Sequence, residues 1–427
     1  MSDTLKKRIE KYKDKVRFHT PSHAGKLSIY DITETSYSDN LLFSFDILKN
    51  LEEKIAKIYK KDVAFISTQG ATFSIFQAVY ALLNRGAFLV VGNCHISVFN
   101  ALRNLNAESY HIDKFNLDNL EKLNIKTVII TSPSYLGTNE NIEYIYKECK
   151  KRDIKLIVDS AHGSHFNFSS QLTKDNIILA DLVICSLHKT LPVITGGSIL
   201  LASNEFKDRL NAYRKMNHST SPNYLTMVSI EECMDKYLIK GESIYKRIIS
   251  TCNGLKKDIN KLNLKSEIRF LDNDDKTRLV ILSKDTGINL YNHLFKCGFV
   301  CESVISNGVI LIVNEYNYGS LPNLKEALIS FKAKKSKEIN NTIVNKHNEE
   351  TKIITYKNIN PKLVPINEAI NKRAFFDIGM YPPGTPIIFA GDIIKKEDIL
   401  NIINNQNKLE VFGIENGNIY IIEEINN

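Results

Sequence analysis

Several apolar runs in this chain end abruptly in residues able to do chemistry. Leu182 to Cys185 stops at Ser186, His188 and Lys189, and Ile154 to Val158 stops at Asp159, followed by Ala161 and His162. Other runs end in Gln69-Gly70-Ala71-Thr72, in His95, and in Ser132 to Tyr135. A lysine held in a dry cleft has its pKa lowered, because desolvation penalises the ammonium, and the neutral amine can form a Schiff base with an aldehyde. A lone lysine past a strand is more often an exposed loop residue, so Lys189 has to be judged with its neighbours.

Pyridoxal 5'-phosphate is the usual aldehyde, and it makes three further demands: an anion cradle for its phosphate, an acid for its ring nitrogen, and a flat or apolar group against its ring. Gly70-Ala71-Thr72 lies between a strand and a helix, where backbone N–H groups and the helix dipole favour an anion, and Ser186 can add a hydroxyl. Asp159, ending a buried strand, can hold the pyridinium protonated, and His95 can cover the ring. Each has an ordinary reading as well: a turn, a helix cap, a hydrogen-bonded loop histidine.

These residues need elements to position them. "DVAFI", "AFLVV", "KTVII" and "IKLIV" each precede a polar turn and a stretch with apolar residues at helical spacing. This repetition predicts an α/β fold with a mostly parallel central sheet flanked by helices, its strands buried on both faces. Ligands of such sheets collect outside the carboxyl ends of the strands, where all five polar clusters fall. Past about Cys233 the pattern loosens, and "RLVILS" and "GVILIV" predict strands of a smaller α+β region. The expected organisation is an N-terminal segment, 1–44, a large cofactor-binding domain, 45–240, and a C-terminal region, 241–427, split near the polar stretch 332–352. "YPPGTPIIFAGDII" predicts a Pro/Gly turn feeding a short strand.

Composition excludes several classes. With 427 residues and 43% hydrophobic content there is ample core. The net charge of +8 is scattered rather than gathered into a basic stripe, so no nucleic-acid partner is expected. Seven cysteines without metal-ligand spacing point to reduced thiols in a cytoplasmic protein and to no metal site. No apolar run reaches the ~18 residues a membrane span requires, so no membrane partner is expected.

"VDSAHGSHF" followed by "ADLVICSLHKTL" resembles the D-x-A-H-G-x-H-F and S-x-H-K-T signatures of the Orn/Lys/Arg decarboxylase family. "HTPSHAGK", "DITE", "NCHISVFNAL", "STSPNYLTMVSIE" and "YPPGTPIIFAGD" resemble further family segments in the same order, over residues 19 to 394. The resemblance implies a fold-type I, aspartate-aminotransferase-like enzyme that uses pyridoxal phosphate, in the small form without a wing domain, and a role in polyamine biosynthesis. It assigns Lys189 as the Schiff-base lysine and Asp159 as the partner of the pyridine nitrogen. His95 would stack on the ring, Ala161 pack beneath it, and Ala71, Thr72, Ser186 and His188 contact the phosphate or its surroundings, with His162 nearby. A homodimer is implied, to whose shared sites Thr220 and Ser221 contribute from the neighbouring chain. Where the family has glycine, lysine and glutamate, this chain has Ser22, Ile96 and Asp392, and "NKRAFFDIGM" replaces a differently composed segment. Ser22 would strain a turn that needed positive φ.

The expected reaction is decarboxylation of a basic amino acid, arginine, lysine or ornithine, to the corresponding amine, with Lys189 or His188 returning a proton to Cα. Glu34 and Asp392, with Asp31 and Asp39, are the acids near family motifs that could meet the substrate's distal cation. Two other readings stay open at this point. One keeps the cofactor but performs transamination or elimination, with Arg373 available for a carboxylate; the other is a degenerate cofactor-binding paralogue.

Overall fold

The structure is a computed structural model that describes residues 4–172, 177–262, 268–333, 351–357, 359–381, 385–405 and 410–424. Most of the expected linker near 332–352, residues 334–350, lies outside the described residues, as do Pro382 to Gly384 of the carboxyl-terminal motif. In chain order the first strands are β1 (Val63–Ser67), β2 (Ala87–Val91), β3 (Ser109–Ile112), β4 (Ile125–Thr131), β5 (Lys155–Asp159), β6 (Leu182–Ser186) and β7 (Ser198–Ala202). The helices among and after them are α1 (Leu5–Glu10), α2 (Ile47–Ile58), α3 (Gly70–Leu82), α4 (Ile96–Asn104), α5 (Leu117–Lys122), α6 (Ile142–Lys151), α7 (Leu187–Thr190), α8 (Lys207–Asn217) and α9 (Tyr224–Lys261).

The chain divides into two compact units. The first comprises residues 1–86, 124–134 and 139–246. Its strands lie in the order β1-β7-β6-β5-β4, a mixed sheet flanked by helices. β4, β5 and β6 are parallel, while β7 runs antiparallel to both β6 and β1. Every residue of β6 and β7 is buried, as the apolar runs require of strands covered on two faces. Helix α2 shows the complementary pattern, with Leu48, Leu51 and Ile55 buried on one side and Lys49 and Lys57 outside that stripe.

Residues 1–44 belong to this unit, and Asp39 organises their end. It adopts φ 62° and is buried, and its carboxylate accepts from the backbone N–H groups of Asn40, Phe45, Asp46 and Leu48. An aspartate tolerates the left-handed region better than most residues, and four charge-assisted hydrogen bonds fix the turn that leads into α2.

The second unit comprises residues 87–123, 135–138 and 247–427. β2 and β3 pair in parallel, and a short strand at Thr351–Lys352 lies antiparallel on β3. "RLVILS" and "GVILIV" form strands Arg278–Leu282 and Gly308–Ile312, which pair antiparallel within a four-stranded sheet. The carboxyl-terminal residues build a core of their own from Ala374, Ile378, Ile388, Ile394, Ile402 and Ile419. Beside it Arg103 of α4 meets Asp377 in a two-pronged ion pair, both side chains essentially inaccessible, with Nη2 to Oδ1 at 2.7 Å. Asp377 also accepts from Ala390 N at 2.8 Å, so the buried charges are hydrogen-bonded as well as paired. Asp377 lies within the segment where this chain departs from the family pattern.

Candidate active site

The sheet of the first unit brings its polar residues to one edge by register. Thr131 at the end of β4 stands opposite Asp159 at the end of β5. Ser186, ending β6, stands opposite Ser198, which stands opposite Ser67 at the end of β1. Because β7 runs antiparallel, it starts at the edge where its neighbours finish. The backbone ladder continues one step past the strands, with Ser160 N donating to Ile184 O (2.8 Å) and Ser132 N to Asp159 O (3.1 Å). Asp159 is thereby held on rigid backbone rather than on a loop.

Lys189 lies in α7, one helical turn that starts directly at the end of β6. Its Nζ is 3.4 Å from His162 Nε2, and His162 is buried. Asp159, only 2% exposed, accepts from Ala161 N at 3.1 Å. Burial raises its carboxyl pKa above the ordinary aspartate value, and the Lys189 ammonium and the Ala161 N–H offset part of that rise. Asp159 is therefore a carboxylate short of positive charge. Two buried hydroxyl oxygens in the same stretches, Ser160 Oγ and Thr190 Oγ1, have no hydrogen-bond partner in the protein. Orphaned polar atoms beside an under-neutralised carboxylate suit a site that a polar ligand completes.

His188 behaves differently. Its Nδ1 lies 3.3 Å from the Gly197 carbonyl. A carbonyl only accepts, so Nδ1 carries the proton. Burial, with Lys189 nearby, lowers the imidazole pKa. The neutral ring presents Nε2 as an acceptor, which makes His188 a poor proton donor.

The turn from β1 into α3 is shaped for an anion. Gly70 has φ 76°, with no atom within 4 Å of where a Cβ would sit, so there is open space at the helix start. Its N–H is held by Gly196 O at 2.8 Å, and Gly196 in turn, at φ 92°, passes so close to Thr68 that a Cβ would lie 2.8 Å from the Thr68 carbonyl. Gln69, at the N-cap, makes no side-chain cap and instead accepts from Ser219 N at 3.3 Å. The first N–H groups of a helix have no partner within the helix, so Ala71 and Thr72 supply donors to the exposed mouth of the turn. Ser186 and Ala161 are buried, and Ser186 is linked to Ser67, just before the turn, by register through Ser198.

The remaining expected residues are placed as follows. His95 belongs to the second unit, where it is the N-cap of α4; its Nδ1 accepts from Ser97 N at 3.2 Å, which fixes the ring's tautomer with the proton on Nε2. Ile96 is the first residue of that helix. Thr220 and Ser221 are exposed and follow the segment that Gln69 of the same chain holds. Asp31 accepts from His23 Nε2 at 3.0 Å, and Asp39 is occupied by four backbone N–H groups. Glu34 is half-buried and accepts from the Thr33 hydroxyl at 2.9 Å, so of the three amino-terminal acids it alone is engaged by neither backbone nor histidine. Asp392 lies in the second unit, where its Oδ2 accepts from Phe389 N at 3.3 Å; Arg373 there donates to Gly391 O at 2.7 Å. Positive φ in the amino-terminal motif falls at Ala24 and Gly25, and Ser22 is free of that strain.

Sequence reasoning passed over His218, Thr190 and Ser160. His218 directly precedes the quoted "STSPNY" segment, and its signal was its position next to that motif.

Residues 110–278 match the family described as "Orn/Lys/Arg decarboxylase, major domain". The chain is 24% identical over 466 residues to an arginine decarboxylase of Bacillus subtilis, covering 96% of this chain and 94% of that protein. It is also 24% identical over 464 residues to an arginine decarboxylase of Halalkalibacterium halodurans, covering 94% of this chain and 92% of that protein. Among solved structures, the Francisella novicida lysine decarboxylase LdcF aligns with a TM-score of 0.78 at 18% identity, over 99% of this chain and 81% of that one. Among the described residues no helix is long and apolar enough to cross a membrane.

Proposed function

The chain belongs to the Orn/Lys/Arg decarboxylase family, and from that premise we propose that it decarboxylates a basic amino acid with pyridoxal phosphate held at Lys189. One observation carries the reading: a buried, under-neutralised Asp159 and a lysine, Lys189, stand together at the ends of adjacent parallel strands. The residues fit the cofactor. Asp159 offers the negative charge that a pyridinium needs, and the open turn at Gly70 with the N–H groups of Ala71 and Thr72 offers a place for the phosphate, with Ser186 beside it. Ser160 Oγ and Thr190 Oγ1 are buried donors awaiting a partner.

When bound, pyridoxal phosphate supplies an aldehyde for Lys189 and an electron-withdrawing ring that accepts the electrons left by carbon dioxide. Asp159 would hold a proton on the ring nitrogen and so sustain that withdrawal. Lys189 Nζ would hold the cofactor's aldehyde and would be the group that returns a proton to the substrate's Cα. His162, within 3.4 Å of Lys189 Nζ, orients the amine for both tasks. His188 steadies the turn by its bond to Gly197 and leaves proton transfer to Lys189. Glu34 is the acid we assign to the distal cation of the substrate, because Asp31 and Asp39 are engaged elsewhere.

The test is direct. Purified protein incubated separately with arginine, lysine and ornithine should release carbon dioxide and the matching amine from one of them, with no keto acid. Keto acid without carbon dioxide would replace this reading by a transaminase.

The working unit is proposed to be a homodimer, with Thr220 and Ser221 reaching the neighbouring site. Mixing inactive Lys189→Ala chains with chains disabled by a bulky substitution at Ser221 should then restore activity, since a mixed dimer holds one intact site. Chain exchange without recovery would return Ser221 to its own subunit's site.

A further inference from the structure

β1 is an edge strand of the first unit's sheet, so every second N–H along it points away from β7 and needs an acceptor from outside the sheet. At Ile66 the acceptor is the buried Glu52 carboxylate, 2.9 Å away. At Thr68, two residues on, it is Nε2 of His218, at 3.4 Å. The two acceptors are joined. Arg214, one helical turn before His218 at the end of α8, pairs with Glu52 and lies over the Phe65 ring at 4.9 Å.

His218 is 4% exposed, and both of its ring nitrogens are in use. Nδ1 lies 2.9 Å from the Ser219 carbonyl and so carries the proton, which leaves Nε2 bare to accept from Thr68 N. The ring also meets Phe73, in the first turn of α3, edge-on at 4.9 Å. Asn223 N donates to Thr68 Oγ1 at 3.3 Å, and Ser219 N to Gln69, so residues 218–223 clasp the turn that leads to Gly70.

We propose that His218 is a positioning residue that holds the phosphate-binding turn, and that it does so only as the neutral imidazole. Protonation would set an N–H against the Thr68 N–H, orphan a backbone donor and loosen the turn. The inference rests on the cofactor assignment above. The charged groups around the ring are Arg214 and, through it, Glu52; residues 63–73 and 219–223 carry no ionisable side chain. Burial and Arg214 both disfavour the imidazolium, so the clasp is intact at neutral pH and opens as pH falls through a pKa below the ordinary histidine value.

Two variants of the full chain separate the possibilities. His218→Phe keeps the ring's shape without an acceptor, and His218→Gln keeps an acceptor that does not titrate. Pyridoxal phosphate affinity is measured across pH by absorbance titration, with amide exchange of residues 66–70 followed in the cofactor-free protein. His218→Phe should bind roughly tenfold more weakly than wild type at neutral pH, the scale of one orphaned buried donor, with the gap closing in acid as wild type loses the same bond, and should exchange faster at residues 66–70 at neutral pH. His218→Gln should bind like wild type at neutral pH and lose part of the wild-type decline in acid. Should the phenylalanine variant not fold, the acid limb of the glutamine variant decides alone. Wild-type-like binding and exchange in His218→Phe, or an unchanged acid limb in His218→Gln, would overturn the inference. Wild-type protein that takes up no cofactor overturns the functional reading and this inference with it.

Discussion

Lys189→Ala protein should be colourless, should retain no cofactor after borohydride reduction, and should release carbon dioxide only at the background rate. The expectation follows from where the amine sits. Lys189 occupies a single turn directly after a fully buried strand, its Nζ 3.4 Å from His162 and close enough to Asp159 to offset part of the rise that burial imposes on that carboxyl's pKa. No other lysine shares this setting among the described residues: Lys61, whose pKa burial lowers to about 8, is bonded to the Ala180 carbonyl and has Asp181 and Asp62, not Asp159, as its nearby acids. The variant should fold, because the Lys189 side chain fills no part of the apolar core. Retained turnover in Lys189→Ala would place the chemistry elsewhere.

Asp159→Asn should lower kcat by about 100- to 1,000-fold, the scale seen when one electrostatic partner is removed from a dry site. The replacement is nearly isosteric, and its amide oxygen can still accept from Ala161 N. Only the charge is lost. Stability should move the other way. A carboxyl whose pKa is raised by folding binds protons more readily in the native state, so the ionised group opposes folding increasingly as pH rises through the raised value. Cofactor-free Asp159→Asn should therefore melt at or above wild type at neutral pH, and the difference should shrink in acid. A kcat near wild type would show that the ring nitrogen has another partner. A lower melting temperature would show that Asp159 serves the fold.

These two residues were legible in the sequence because strand ends announce themselves: a buried run cannot continue into Asp, Ser, His and Lys, and polar residues that follow such runs collect at one edge of the sheet. The direction of β7 was not legible, since "SILLA" reads the same for a strand entering or leaving that edge. The amino-terminal acids show the limit of motif proximity. Asp31 and Asp39 sit as near family motifs as Glu34 does, yet one pairs with His23 and the other closes a turn through four backbone bonds. Which acid stays available depends on backbone N–H groups up to nine residues away and on φ at a single position. His218 escaped for a related reason. Its value depends on β1 being an edge strand, a property of the whole strand order that no local window contains. The Arg103–Asp377 pair likewise joins residues 274 apart.

The most direct measurement of the central claim is borohydride reduction of the purified wild-type protein, followed by peptide mapping. One modified lysine, Lys189, is expected, with loss of the visible absorbance band in step with its labelling. A cofactor fixed on a different lysine, or a protein that stays colourless with pyridoxal phosphate added, would contradict it.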